Sequence, residues 1–226
     1  MIVAIDGPAG AGKSSIARRL AERLGFQFLD TGAMYRAVAL AALRWGLGPD
    51  DADAIADLAE RMTIRVEGPR TILDGEDVSQ AIRTSEVSAA VYLAADNVAV
   101  RRRLVELQRE IAAGRDTVTE GRDQGTVAFP HAECKIFLTA SPEVRARRRQ
   151  AELAERGEQV AYEEILAQQA ERDRRDAARP VGAMLKASDA ALVITDGLTQ
   201  EEVVDRLERI VRERVQGSGF GVQDED

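Results

Sequence analysis

The stretch IVAIDGPAGAGKS, residues 2–14, decides how the rest of the chain is read. Its first five residues, IVAID at 2–6, are an apolar, β-branched run that is short for a helix and suits a strand buried on both faces. The next eight, GPAGAGKS at 7–14, fit G-x-x-x-x-G-K-[ST], and a helical pattern from Ser14 to Leu24 follows directly. Strand, glycine loop and helix form the context in which this motif cradles a polyphosphate. Gly7, Gly10 and Gly12 let the backbone wrap closely, so that successive N–H groups and the helix N-terminus face the anion. The loop candidates for ATP phosphates are therefore Gly7, Pro8, Ala9, Gly10, Ala11, Gly12, Lys13, Ser14 and Ser15. Lys13 adds a charge at the β and γ oxygens, and Ser14 offers a hydroxyl to Mg²⁺.

Outward from that loop, short apolar runs alternate with longer helical ones. QFLD at 27–30, TVTE at 117–120, CKIFL at 134–138 and ALVIT at 191–195 read as further buried parallel strands, five in all with IVAID. Between them Gly32–Trp45, Asn97–Ala112, Pro142–Glu155, Tyr162–Ala178 and Gln200–Val215 carry apolar residues at i, i+3, i+4 spacing. This alternation predicts an α/β fold with a doubly wound parallel sheet. Residues 63–78, TIRVEGPRTILDGEDV, break it: strands around Gly68-Pro69 and Asp74-Gly75 turns predict a small antiparallel insert. A second interruption, Arg147–Val160, reads as a mobile lid between two helical patterns. The organisation expected is one domain over 1–215, with core segments 1–60, 95–145 and 162–215, an insert over about 61–94, a lid over about 147–160, and a flexible acidic tail at 216–226.

Composition narrows the class. The 226 residues are 45% apolar and carry a net charge of −8 with a pI near 5.0, against the basic footprint of a nucleic-acid or membrane-surface binder. No run of eighteen apolar residues and no cleavable leader is seen, and the lone cysteine, Cys134, opens an apolar strand; a reducing cytoplasm is the expected location. His131 follows Pro130 in a loop with no metal-ligand spacing around it, and is expected at the surface.

A phosphate loop alone does not separate kinases from switches. The guanine-reading N-K-x-D and the switch D-x-x-G are both absent, and Asn97, the only asparagine, precedes Val98. The remaining chemistry lies in arginines beside loops that follow strands: Arg36, Arg83, Arg101, Arg122, Arg145, Arg148, Arg149, Arg172, Arg175 and Arg179. Phosphoryl transfer needs positioning and positive charge more than a strong base, and the guanidinium fork binds phosphate bidentately without losing its charge. A kinase for another small acceptor such as UMP, AMP or shikimate would share the loop, as would a non-catalytic nucleotide-binding module, although the latter has no need of a second arginine set.

GPAGAGKSS, LDTGAMYR, LDGEDVSQAIRTSEVS, EGRDQGTVAFP, KIFLTASPEVRARRR and ERDRRDAAR resemble, in order and spacing, the bacterial cytidylate kinases, to about residue 215. The resemblance implies a P-loop NTPase-type core of five parallel strands wrapped by helices, a monophosphate-binding part enlarged by a small antiparallel sheet, and a short arginine-bearing lid. It implies transfer of the γ-phosphate of ATP, with Mg²⁺, to CMP or dCMP, by a monomer with no nucleic-acid or membrane partner. Thr31, Tyr35 and Arg36 would line the acceptor nucleotide with Arg83 nearby, and Arg36, Arg122 and Arg179 would meet its phosphate. Arg101 and Asp123 would face the cytosine edge, Arg172 and Asp176 would hold the sugar, and Arg148 with Arg149 would close over the transferring group. Tyr92 stands where the family usually has a small serine, Ala183-Met184 where it has Pro-Leu, and ALVITDG replaces an apolar run ending in Asp before a threonine pair.

Overall fold

The computed structural model describes residues 1–217. In chain order the first half runs β1 (Ile2–Asp6), α1 (Lys13–Leu24), β2 (Gln27–Asp30), α2 (Thr31–Arg44), α3 (Ala52–Arg61), β3 (Ile64–Glu67), β4 (Arg70–Leu73), β5 (Glu76–Asp77), α4 (Ser85–Ala90) and α5 (Tyr92–Ala95). The second runs α6 (Val98–Ala112), β6 (Thr117–Gly121), β7 (Cys134–Thr139), α7 (Pro142–Glu155), α8 (Tyr162–Ala178), β8 (Ala191–Ile194) and α9 (Gln200–Gly217). Five strands form a parallel sheet in the order β2-β6-β1-β7-β8, and β3, β4 and β5 form a separate antiparallel sheet.

Register explains why one edge of the sheet carries the chemistry. Asp6 lies opposite Gly121 and Phe137, and Asp30 opposite Glu120, so the carboxyl ends of the strands finish level and their loops leave on one side. The strands are apolar because both faces are covered. Val3, Ile5, Val118, Ile136, Leu138 and Val193 pack with Ile16 and Leu20 of α1 and Leu207 of α9. A second core joins Met34 and Val38 of α2 to Ile55, Ile82 and Leu104, which fastens the insert to the body. Cys134 is buried in the first core and burial raises its thiol pKa to about 11, as befits a packing residue, while His131 is exposed.

Three features differ from the expected pattern. The helix α3 was not among the expected elements, although Ile55, Leu58, Ala59 and Met62 repeat at i, i+3, i+4, i+7 and pack in the second core. Residues 81–95, to which the sequence assigned no element, form short helical turns, with the Thr84 hydroxyl accepting from the Val87 N–H at 3.3 Å to start α4. The break expected over Arg147–Val160 is narrower: α7 continues to Glu155, so only residues 156–161 leave the helix. The acidic tail expected at 216–226 lies, from residue 218, outside the described residues.

Candidate active site

The loop after β1 passes so close to β7 that a Cβ on Gly7 would collide with the Leu138 carbonyl, which is why a glycine opens the loop. Three basic side chains donate to the loop's carbonyls: Lys13 Nζ to Pro8 O at 2.8 Å, Arg145 Nη1 to Ala9 O at 3.0 Å and Arg148 Nη1 to Ala11 O at 3.4 Å. The Ser15 hydroxyl donates to Gly12 O at 2.9 Å, and the Ser14 hydroxyl donates to Glu120 Oε1 at 2.7 Å. Glu120 is buried at the end of β6, so an oxygen-only pair stands beside the loop where a hard cation would sit with phosphate.

Lys13 is only 5% exposed. Desolvation, and next the charge of Arg122, lower its pKa to about 7, against the pull of Glu120 and Asp6. A polyphosphate would restore the ammonium, so binding must take up a proton above pH 7, where the free amine is largely neutral. Calorimetry of ATP binding at pH 8 in buffers of different ionisation enthalpy should show uptake approaching one proton in the wild type and none in Lys13→Ala. Buffer-independent heats in the wild type would contradict this.

Beyond the loop, two carboxylates hold arginines in place. Asp30 caps α2 by accepting from Ala33 N at 2.8 Å, and its oxygens lie 3.4 Å from Arg36 Nη2 and 3.6 Å from Arg83 Nη2. Asp176 accepts from Arg122 Nε at 2.8 Å and pairs with Arg179, whose Nε reaches Asp96 at 2.7 Å. Burial pushes the Asp176 carboxyl up, but Arg122 and Arg179 outweigh it and hold the group below the usual carboxylate range. Arg172 is exposed on its outer side; desolvation, then Arg122, Arg36 and Arg179 around it, lower its pKa to about 10. Arg36 Nε is buried without a partner, and Thr31 Oγ1 donates to the Glu120 carbonyl at 2.6 Å. This crowd of like charges, with donors unused, is arranged for an anion.

Beside it, Arg101 and Asp123 form an ion pair in which each residue is only 3% exposed. Arg101 Nη1 donates to Ala95 O at 3.0 Å, and the guanidinium lies over the Tyr35 ring, 5.4 Å from its centroid. Arg101 Nε and the Tyr35 hydroxyl are buried with no partner, and desolvation raises the Tyr35 pKa to about 12. The loop bearing Asp123 is anchored by Asp6, which accepts from Gln124 N and Gly125 N, each at 2.8 Å. Burial raises the Asp6 pKa to about 6. Tyr92 is half-buried and faces Arg175, 5.3 Å from its ring centroid, an Arg-on-ring contact between α5 and α8.

Lys13, Thr31, Tyr35, Arg36, Arg83, Arg101, Arg122, Asp123, Arg172, Asp176 and Arg179 are thus joined in one network of hydrogen bonds, ion pairs and charge interactions. Arg148 instead donates to Thr195 Oγ1 and O, both at 3.0 Å, and Arg149 pairs with Glu152 on its own helix at 3.1 Å. The turn after α7 touches the insert: Ser85 Oγ donates to Glu158 at 2.8 Å and Arg156 Nη1 to Arg83 O at 3.4 Å. Asp196, in the divergent ALVITDG segment, accepts from Ser141 N at 2.9 Å. Sequence reasoning passed over Asp6, Asp30, Glu120 and the anchoring role of Arg145, which pairs with Asp173 at 2.7 Å. Each of the three acids stands at or next to the end of a parallel strand, the position that faces the cleft.

The chain is similar to known proteins along nearly its whole length. The family model described as cytidylate kinase matches residues 3–213. The cytidylate kinase of Rhodopirellula baltica is 54% identical over 218 residues, 96% of this chain and 95% of its own length. That of Pelotomaculum thermopropionicum is 52% identical over 89% of this chain and 92% of its own, and that of Mycobacterium avium 49% identical over 95% and 96%. Among solved structures, a shikimate kinase from Bacteroides thetaiotaomicron superposes with a TM-score of 0.50 at 14% identity, covering 94% of this chain and 98% of its own. A gluconokinase from Sinorhizobium meliloti does so with a TM-score of 0.50 at 17% identity, covering 99% and 97%. These two likenesses speak to the fold alone. No helix among the described residues is long and apolar enough to cross a membrane.

Proposed function

This chain belongs to the cytidylate kinase family, and from that premise we propose that it transfers the γ-phosphoryl group of ATP to CMP or dCMP, giving ADP and CDP or dCDP, as a cytoplasmic monomer. The observation that carries the reading is the buried Arg101–Asp123 pair with its unused Nε, set beside a cluster of arginines whose like charges lower the Arg172 pKa. A carboxylate beside a guanidinium offers an acceptor next to a donor, which matches the N4 amino group and N3 of cytosine. Shikimate has no base and would leave the pair without a task.

Residues 7–15 hold the ATP phosphates, and Lys13 meets charge that develops between the β and γ positions. Arg36, Arg122 and Arg179 bind the acceptor phosphate, Arg172 and Asp176 the sugar, and Thr31, Tyr35 and Arg83 line the acceptor. An acceptor phosphate oxygen forms the new bond to the γ-phosphorus as the bond to the ADP oxygen breaks. No strong base is needed, because the acceptor oxygen is already an anion; what must be overcome is repulsion between the two phosphates, and the arginines held by Asp30 and Asp176 are oriented for this before substrate arrives. Ser14 and Glu120 would hold Mg²⁺, which when bound neutralises charge on the phosphate oxygens. Release of ADP with CMP, dCMP, UMP, AMP and shikimate as acceptors tests the reading: CMP and dCMP are expected to turn over fastest, and a higher kcat/KM for any other acceptor would overturn it.

We read residues 147–160 as the lid, with Arg148 and Arg149 turning toward the transferring group when both nucleotides are bound. The few exposed hydrogen bonds that tie its turn to the insert are weak enough to exchange. Amide exchange across 147–160 is expected to slow on saturation with ATP and CMP together, and to change little with ATP alone. No added protection with both ligands would count against a lid there.

A further inference from the structure

Gly182, in the segment 180–183, lies directly against the Arg101–Asp123 pair. Gly182 is buried with φ +71°, and a Cβ built on it would overlap the Arg101 guanidinium and the Asp123 carboxylate. Its carbonyl accepts from Arg101 Nη2 at 3.5 Å, from the same nitrogen that serves Asp123. The segment cannot easily stand back. On one side Arg179 is tied to Asp96 and Asp176, and on the other Met184 N donates to the Asp176 carbonyl at 2.9 Å. Four residues between two fixed points hold a glycine backbone on the outer face of the pair.

We infer that Gly182 is a positioning residue for base selectivity: by letting the 180–183 backbone close on Arg101 and Asp123, it holds the pair as one rigid reading edge. The guanidinium is then confined by four neighbours of different kinds: the Ala95 carbonyl, the Asp123 carboxylate, the Tyr35 ring and the Gly182 backbone. With the last removed, Arg101 gains freedom to turn, and a guanidinium that can turn away from an N3–H no longer penalises uracil. Any side chain at 182 has this effect twice over, through the left-handed backbone it must adopt and through its overlap with Arg101. The inference rests on the proposed reading of the base by Arg101 and Asp123.

The test is kcat/KM for CMP and for UMP at saturating ATP in the wild type and in Gly182→Ala, with KM for ATP measured alongside. The CMP-to-UMP ratio is expected to fall by about tenfold or more while KM for ATP stays within about twofold. A merely structural role would lower both substrates together and leave the ratio unchanged. A wild type that prefers CMP and a Gly182→Ala protein that keeps the same ratio would overturn this inference alone; a wild type with no preference would overturn the base reading and this inference with it. Should Gly182→Ala fail to fold, amide exchange in the wild type decides. Protection of residues 181–184 by CMP, and much less by UMP, supports the inference, and no protection by CMP sinks it.

Discussion

Lys13→Ala is expected to lower kcat by about 10³-fold while the protein stays folded, with Tm within about 4 °C of the wild type. The rate effect follows from position. Lys13 is the first residue of α1, its amino group donates to a single carbonyl of the loop, and it is the one charged side chain of residues 7–15. In a site that excludes water, one preorganised charge facing the transferring group is worth several kcal/mol of barrier. The small stability effect follows from the lowered pKa. A lysine brought to about 7 by burial, and next by Arg122, must lose its hydration or its proton when the chain folds, so removing it relieves that cost even as it opens space. Turnover and thermal unfolding measured on one preparation check both halves. Near-wild-type kcat in folded Lys13→Ala would contradict the assignment of the loop to the reacting phosphates.

The same lysine shows what sequence alone could reveal. The loop was legible because every part of it is local: strand, glycines, Lys13 and helix are consecutive, and the spacing carries the chemistry. The five strands were legible because parallel strands buried on both faces are continuous apolar runs. The arginines were legible as a class but not as an arrangement. Nothing local tells that Arg122 is held by Asp176, 54 positions away, or that Arg101 is paired with Asp123, 22 positions away. The acids were missed for a related reason. Asp6, Asp30 and Glu120 close IVAID, QFLD and TVTE, and read as strand ends until the register sets them level at one edge. Gly182 is hidden more deeply, since a glycine in PVGAM is an ordinary loop residue until Arg101 and Asp123 are found against it. Arg149 was assigned to the transferring group by resemblance alone, and its pairing with Glu152 on its own helix is a contact that spacing does show.

Base discrimination is expected to collapse in Asp123→Asn, and the geometry says which way. Asp123 gives Oδ2 to Arg101, which leaves Oδ1 for the cytosine amino group in the proposed reading. An asparagine at this position must keep its oxygen toward the guanidinium, because turning the amide over would set its NH₂ against Arg101 with both groups buried. The NH₂ is then directed at the base. It repels the N4 amino group of CMP and donates to O4 of UMP, so one contact is inverted for each substrate. A well-formed base contact discriminates by about 1 to 3 kcal/mol, and inverting one should lower the CMP-to-UMP ratio of kcat/KM by about 10²-fold. Asparagine is the informative change because alanine at 123, or methionine at 101, would strand the other member of a buried ion pair, at a cost of about 3 to 5 kcal/mol that falls on every substrate alike. Tyr92, whose ring faces Arg175, would present the same surface to either pyrimidine if it stacked on the base. Kinetics with both acceptors in folded Asp123→Asn decide the matter: equal losses on CMP and UMP would mean that Asp123 supports Arg101 without reading the base, whereas a fall confined to CMP, with UMP unchanged or improved, follows only if its carboxylate accepts from N4.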